Sequence, residues 1–154
     1  MRARVAAAGR DPEDFWFLVY AAVLVHEDED VIARAIHSPI LRSYAAIEGR
    51  FDPEAWRAEG LEPCFPKGWN YALHMLPTSY DEAKVAGLLA SVPDAMVEKS
   101  FLRGTPKEIG AVLADYVEAG ATLIAPGDLL PISLDLADAA GSTDRLLSIC
   151  KELR

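Results

Sequence analysis

The sequence predicts an α/β protein, and three observations carry that prediction. Residues 103–128 read as one complete helix-and-strand unit with both helix ends marked. Residues 15–36 read as a second unit, an apolar strand running into an amphipathic helix. Residues 121–125 form an apolar run too brief for a helix, of the kind buried on both faces of a parallel sheet. A single helix–strand unit cannot bury its own surfaces, so a larger α/β layer is implied.

Taken in order, residues 2–9 look like the end of a helix stopped by Gly9, and Gly9-Arg10-Asp11-Pro12 is a loop. Residues 15–25 are dominated by aromatic and β-branched side chains without a polar face, which predicts a buried strand; a buried helix is the competing reading. His26-Glu27-Asp28-Glu29-Asp30 then enters a helix whose acidic first turn complements the helix dipole. Val31, Ile32, Ala35 and Ile36 form its apolar side, Ser38-Pro39 interrupts it, and the pattern resumes to Gly49. Asp52 as N-cap and Pro53 at the first helical position open a short helix ending near Gly60. Residues 61–78 are irregular and aromatic-rich, carrying Pro63, Pro66, Gly68 and Pro77 among Phe65, Trp69, Tyr71, His74 and Met75. Loops of this length are functional or disordered, and the aromatic content argues for function.

Ser79 with Glu82 reads as a capping box opening a helix whose apolar face is Val85, Leu88, Leu89 and Val92. Pro93 starts another short helix over residues 94–99, and residues 100–103 are extended. Thr105, Pro106 and Glu108 form a second N-cap signature, followed by the stripe Ile109, Val112, Leu113, Tyr116 and Val117. Gly120 stands where a left-handed residue ends such a helix. The strand of residues 121–125 breaks at Pro126-Gly127-Asp128, the carboxyl edge where α/β folds place ligands. Residues 129–136 are apolar and ambiguous, and a last helix runs from Ser142, as N-cap, to about Leu153.

A length of 154 residues fits one domain with a real core, and 51% apolar with 25% charged residues is ordinary for a soluble globular protein. The net charge of −9 argues against nucleic-acid binding, which needs a basic face. Cys64 and Cys150 are too isolated for a disulfide framework, so a reduced, cytoplasmic setting is expected. The amino terminus lacks the apolar core of a signal peptide. The longest apolar stretch, residues 15–25, falls well short of the ~20 residues of a membrane helix.

Standard catalytic signatures are absent: there is no G-x-G-x-x-G, P-loop, G-x-S-x-G or H-E-x-x-H. His26, His37 and His74 lack metal-ligand spacing. His26 and Glu27 leave a buried strand, where barrel enzymes place catalytic groups, or they are a solvated strand exit. The acidic run at residues 27–30 could bind a cation, but dipole complementation explains it. Asp128 is a site residue or a turn cap by position. Cys64 lacks a base nearby in sequence and reads as an incidental thiol. Trp69, Tyr71, His74 and Met75 either line a pocket for an apolar or flat ligand or anchor their long loop.

Two sets of residues resemble a known family. One is Gly9-Arg10-Asp11-Pro12 with its apolar strand and acidic turn. The other is Phe101-Leu102-Arg103-Gly104-Thr105-Pro106-Lys107-Glu108 with Tyr116-Val117-Glu118-Ala119-Gly120-Ala121-Thr122. Together they resemble the C-terminal part of the luciferase-like monooxygenases. Gly60-Leu61-Glu62-Pro63 and Val92-Pro93-Asp94-Ala95-Met96-Val97 are similar to the phthiodiolone ketoreductase branch. The resemblance implies the later strands of a (β/α)8 TIM barrel, helix-rich, as one partial domain over residues 1–154 with an insertion at 50–78. It implies coenzyme F420 or FMN, hydride transfer or oxygenation of a small organic substrate, and inactivity of this portion alone. A non-catalytic binding or assembly module on the same scaffold is the alternative. Contacts to the cofactor ring and the proton donor belong to the earlier strands, so no catalytic or cofactor residue is carried over. Trp69, Tyr71 and His74 are the substrate-lining candidates. An incomplete barrel leaves strand edges unpaired, so self-association or a complementary barrel segment is the expected partner.

Overall fold

Strand β1, Leu18–Val25, is the centre of the sheet, because among the described strands it alone pairs on both edges. The computed structural model describes residues 2–48, 53–65, 68, 71–74 and 81–153. Ahead of β1 lie helix α1, Arg2–Ala7, and a 3₁₀ turn, Pro12–Asp14, which Asp11 caps. Helices α2, Glu29–Ile36, and α3, Pro39–Glu48, follow, broken at Ser38-Pro39 as the sequence predicts. Next come α4, Pro53–Ala58; α5, Tyr71–His74; α6, Glu82–Ser91; and α7, Asp94–Ser100. Strand β2, Leu102–Gly104, leads into α8, Pro106–Glu118, and β3, Leu123–Asp128. Helices α9, Leu130–Ser133, α10, Leu136–Ala139, and α11, Ser142–Glu152, close the chain.

All pairing is parallel, and the order is β2-β1-β3. Val23–Val25 face Leu102–Gly104 on one edge of β1, and Leu18–Val23 face Leu123–Asp128 on the other. Alternation then splits the side chains of β1 between two apolar clusters. Ala21, Val23 and Val25 pack with Ile109 and Leu113 of α8 and Ile149 of α11. Leu24 points the other way, into Val31, Ile32, Leu41, Trp56, Met96 and Leu130. Helices therefore cover both faces of a small parallel sheet, as such sheets require. The α/β, helix-rich class expected from sequence is what the structure shows. The three described strands form an open sheet, and β1 stands between β2 and β3, whereas consecutive barrel strands run in chain order.

Several sequence expectations need correction. The strand foreseen over residues 15–25 starts only at Leu18, and its amino-terminal half is not buried: Leu18 is 58% and Tyr20 65% exposed. The second cluster's helices pack over Leu24 and leave that end of the face uncovered. Strand β3 is not buried on both faces either, since none of its six residues is fully buried. It also runs through Pro126 and Gly127 instead of stopping before them. Proline has no N–H to give a second neighbour, which suits an edge strand.

The stripe on α8 is narrower than its periodicity suggests. Ile109 and Leu113 are buried, while Val112, Tyr116 and Val117 are 41–44% exposed, because α11 crosses on the 109/113 side. Gly110 permits that crossing: a Cβ there would lie 2.7 Å from Glu152 Cβ. Residues 71–74 make a helical turn within the segment read as irregular. The N-cap of α6 is Asp81, whose carboxylate accepts the Lys84 amide at 2.8 Å, while Ser79 lies outside the described residues. Asp52 also lies outside them. Gly141, in the left-handed region, caps α11, and Ser142 is its first residue.

This packing makes a direct test. Leu113→Ala is expected to cost about 2–5 kcal/mol of unfolding free energy in urea titrations, and Val112→Ala less than about 1 kcal/mol. Equal losses would show that the whole predicted stripe faces the core.

Candidate functional site

The carboxyl ends of the three strands converge with the starts of α2, α8 and α11, the edge where α/β proteins bind ligands. Beyond β1, the His26 amide donates to the Gly104 carbonyl at 3.1 Å and extends the ladder by one residue. His26 Nδ1 accepts the Asp28 amide at 2.9 Å, which puts the proton of the neutral ring on Nε2. Asp28 in turn caps α2, its Oδ1 accepting the Asp30 amide at 2.9 Å. His26 and the acidic run thus build the entry to α2, and Asp28 is spent as a cap.

Beyond β2, the capping box foreseen from sequence is complete. Thr105 Oγ1 accepts the Glu108 amide at 3.3 Å, and Glu108 Oε2 accepts the Thr105 amide at 2.9 Å and its hydroxyl at 2.9 Å. These bonds, the backbone one foremost, hold the Glu108 carboxyl below the usual carboxylate range. Gly104 is required beside it: its φ is +135°, and a Cβ would sit 2.7 Å from Glu108 Oε2. Beyond β3, Asp128 acts as a turn and tether. Its Oδ1 accepts the Leu130 amide at 3.1 Å and its Oδ2 accepts the Ser142 hydroxyl at 2.6 Å.

Between α2, α7, α8 and the end of β2 lies an open cavity of about 590 Å³. Among the described residues, Glu29, Asp30, Glu98 and Glu108 line it with a single cation, Arg103, which reaches toward Glu98 at 3.4 Å. Glu98 and Arg103 escaped the sequence reading; their five-residue separation across the α7–β2 junction was the available signal. Both F420 and FMN carry phosphoryl groups. Four carboxylates against one engaged guanidinium do not fit such an anion, so the described residues form no cofactor site by themselves. Arg145 of α11 has its Nε and Nη2 buried without a hydrogen-bond partner among the described residues, while its Nη1 donates to the Ala140 carbonyl at 2.8 Å.

Trp69 and Met75 lie outside the described residues, as does the side chain of Tyr71. His74 is exposed at the end of α5. Of the substrate-lining set, only His74 therefore falls among the described side chains. Cys64 is partly buried 3.8 Å from Met96 Sδ, and burial pushes its thiol pKa up, away from a nucleophilic thiolate. Among the described residues, no helix is long and apolar enough to cross a membrane.

The sequence profile of the luciferase-like monooxygenases matches residues 1–123, and the chain belongs to that family. Among curated proteins it is similar to the phthiodiolone/phenolphthiodiolone dimycocerosates ketoreductase of Mycobacterium kansasii. Identity is 29% over 145 residues, covering 91% of this chain and 38% of that protein. The proteins of the same name from Mycobacterium tuberculosis H37Rv and Mycobacterium bovis BCG Pasteur are 24% identical over 121 residues, covering 78% of this chain and 31% of theirs. The chain thus spans between 31% and 38% of the length of these relatives. No solved structure matches it.

The capping box yields a prediction with a defined sign. Thr105→Ala is expected to cost about 1 kcal/mol in stability. The Glu108 carboxyl has its folded pKa depressed, so its stabilisation is present above the ordinary value of 4.5 and is lost as pH falls through the lowered one. The stability gap between the native chain and Glu108→Gln in denaturant titrations should close as the solution is acidified. A gap that stays constant would show that the charge of Glu108 contributes nothing.

Proposed function

We propose that this chain supplies the later strands and helices of a luciferase-like (β/α)8 oxidoreductase barrel. In this reading the cofactor, F420 or FMN, is held mainly by residues outside the chain. The observation that carries it is the family match over residues 1–123 in a chain spanning 38% of its M. kansasii relative. When bound, the reduced cofactor supplies a hydride, and the ketoreductase relatives favour a carbonyl carbon of an organic substrate as its destination over oxygenation. This chain's contribution is a wall: the capped carboxyl edge and the 61–78 segment, with Trp69, Tyr71 and His74 as substrate-lining residues. Its partner is a complementary barrel segment, with self-association when the chain is alone; a reduced, cytoplasmic setting fits the two free thiols.

The alternative, a binding or assembly module without catalysis, draws support from one observation. Helices already cover both faces of the carboxyl-terminal half of β1, as in a domain that folds by itself. The upstream reading frame discriminates: a continuation resembling the early barrel strands supports the enzyme, and none supports the module.

Absorbance titration of the 154-residue chain with oxidised FMN and with F420 is expected to show no saturable shift. A stoichiometric shift with either would overturn the placement of the cofactor contacts outside this chain. In light scattering, the chain is expected to exceed its 16.7 kDa monomer mass as concentration rises. A cooperative monomer at every concentration would remove self-association from the proposal.

A further inference from the structure

The edge of β1 that faces β2 is only half taken. Strand β2 pairs with Val23–Val25 and no further. Along a parallel strand, main-chain groups turn to its two neighbours at alternate residues. The Val23 carbonyl accepts the Leu129 amide and the Phe17 carbonyl the Thr122 amide, both on the β3 side, whereas the His26 amide donates to Gly104 at the end of β2. Odd positions therefore serve β3, and even positions serve the opposite edge. Leu18 and Tyr20 turn their N–H and C=O to a side where, among the described residues, no strand lies. We propose that this free edge, Leu18 to Tyr20, is a dimerisation site: a second copy of the chain pairs its own Leu18 to Tyr20 there, antiparallel, about a two-fold axis at Val19. The inference deepens the self-association proposed above and rests on it.

Three observations support the assignment. Two open hollows, of about 480 Å³ and 260 Å³, run along the edge and share Val19 and Tyr116 in their lining, so the main chain can be reached there. The devices that guard natural edge strands are missing: residues 15–25 hold no lysine, no proline and no charge of either sign, so the net charge of −9 lies elsewhere. Area supplies the third. Trp16 is 77% and Tyr116 44% exposed, and with Leu18 and Tyr20 they show roughly 500 Å² of largely apolar surface per copy. Two copies thus bring on the order of 1,000 Å², where specific interfaces begin, before the main-chain bonds are added. A second copy suits the edge because the pairing is self-complementary. Leu18 of one copy stands opposite Tyr20 of the other, and each donor meets the other's acceptor.

Sedimentation equilibrium of the full chain is expected to show a monomer–dimer equilibrium that stops at twice 16.7 kDa, because a two-fold contact closes on itself. Leu18→Lys, a charge of the kind that guards natural edges, should weaken the dimer at least ~10-fold. Leu147→Lys, on α11 and 55% exposed against 58% for Leu18, should leave it unchanged. A second measurement does not depend on the lysine variant folding. Val19→Cys is oxidised in a chain also carrying Cys64→Ser and Cys150→Ser. Opposed residues of a non-hydrogen-bonded antiparallel pair stand about 4.5 Å apart, within disulfide reach. The covalent dimer should form at least ~10-fold faster than with Leu147→Cys in the same background. A monomer at every concentration, or growth beyond two copies, overturns the proposal. A dimer that Leu18→Lys leaves intact, or equal disulfide rates, also overturns it, and self-association through another surface then stands. The cofactor titration, and the enzyme reading it tests, are independent of every one of these outcomes.

Discussion

Everything in this molecule is arranged around the need of one parallel strand for cover on two faces and neighbours on two edges. Only β1 obtains both, and only along part of its length. Its carboxyl-terminal half, Val23 to Val25, is wholly buried, with β2 on one edge and helices above and below. Its amino-terminal half has β3 on one edge and little over Leu18 and Tyr20. The gradient from exposed to buried along a single strand separates what the chain completes by itself from what it leaves open.

At the completed end, the ligand-facing edge is dominated by local caps. Asp28, Thr105 with Glu108, and Asp128 each use their oxygens on backbone amides or a neighbouring hydroxyl. Such groups are firmly placed and already satisfied, which makes them good walls and poor reagents. The charge around them is negative, whereas the cofactors of the family are anions.

Much of this was legible from residues close in sequence. The Thr105–Glu108 box, Pro106 at the first helical position, Gly120 at the end of α8 and the Ser38-Pro39 interruption all stand as read. The cap of α6 is Asp81, whose carboxylate takes the Lys84 amide, two residues beyond the Ser79 read from sequence, which lies outside the described residues. The breadth of the α8 stripe was misjudged because periodicity reports which residues share a face, not how much of it a neighbour covers.

By itself, the sequence determined the α/β class, several helix ends and the family, because each depends on interactions spanning a few residues or on motifs in fixed order. Which strand lies beside which was decided only in three dimensions. The pairing of Leu18 with Leu123 joins residues more than a hundred positions apart through backbone groups that every residue carries. A main-chain ladder has no side-chain label, so which strand pairs with which is not written in any local motif.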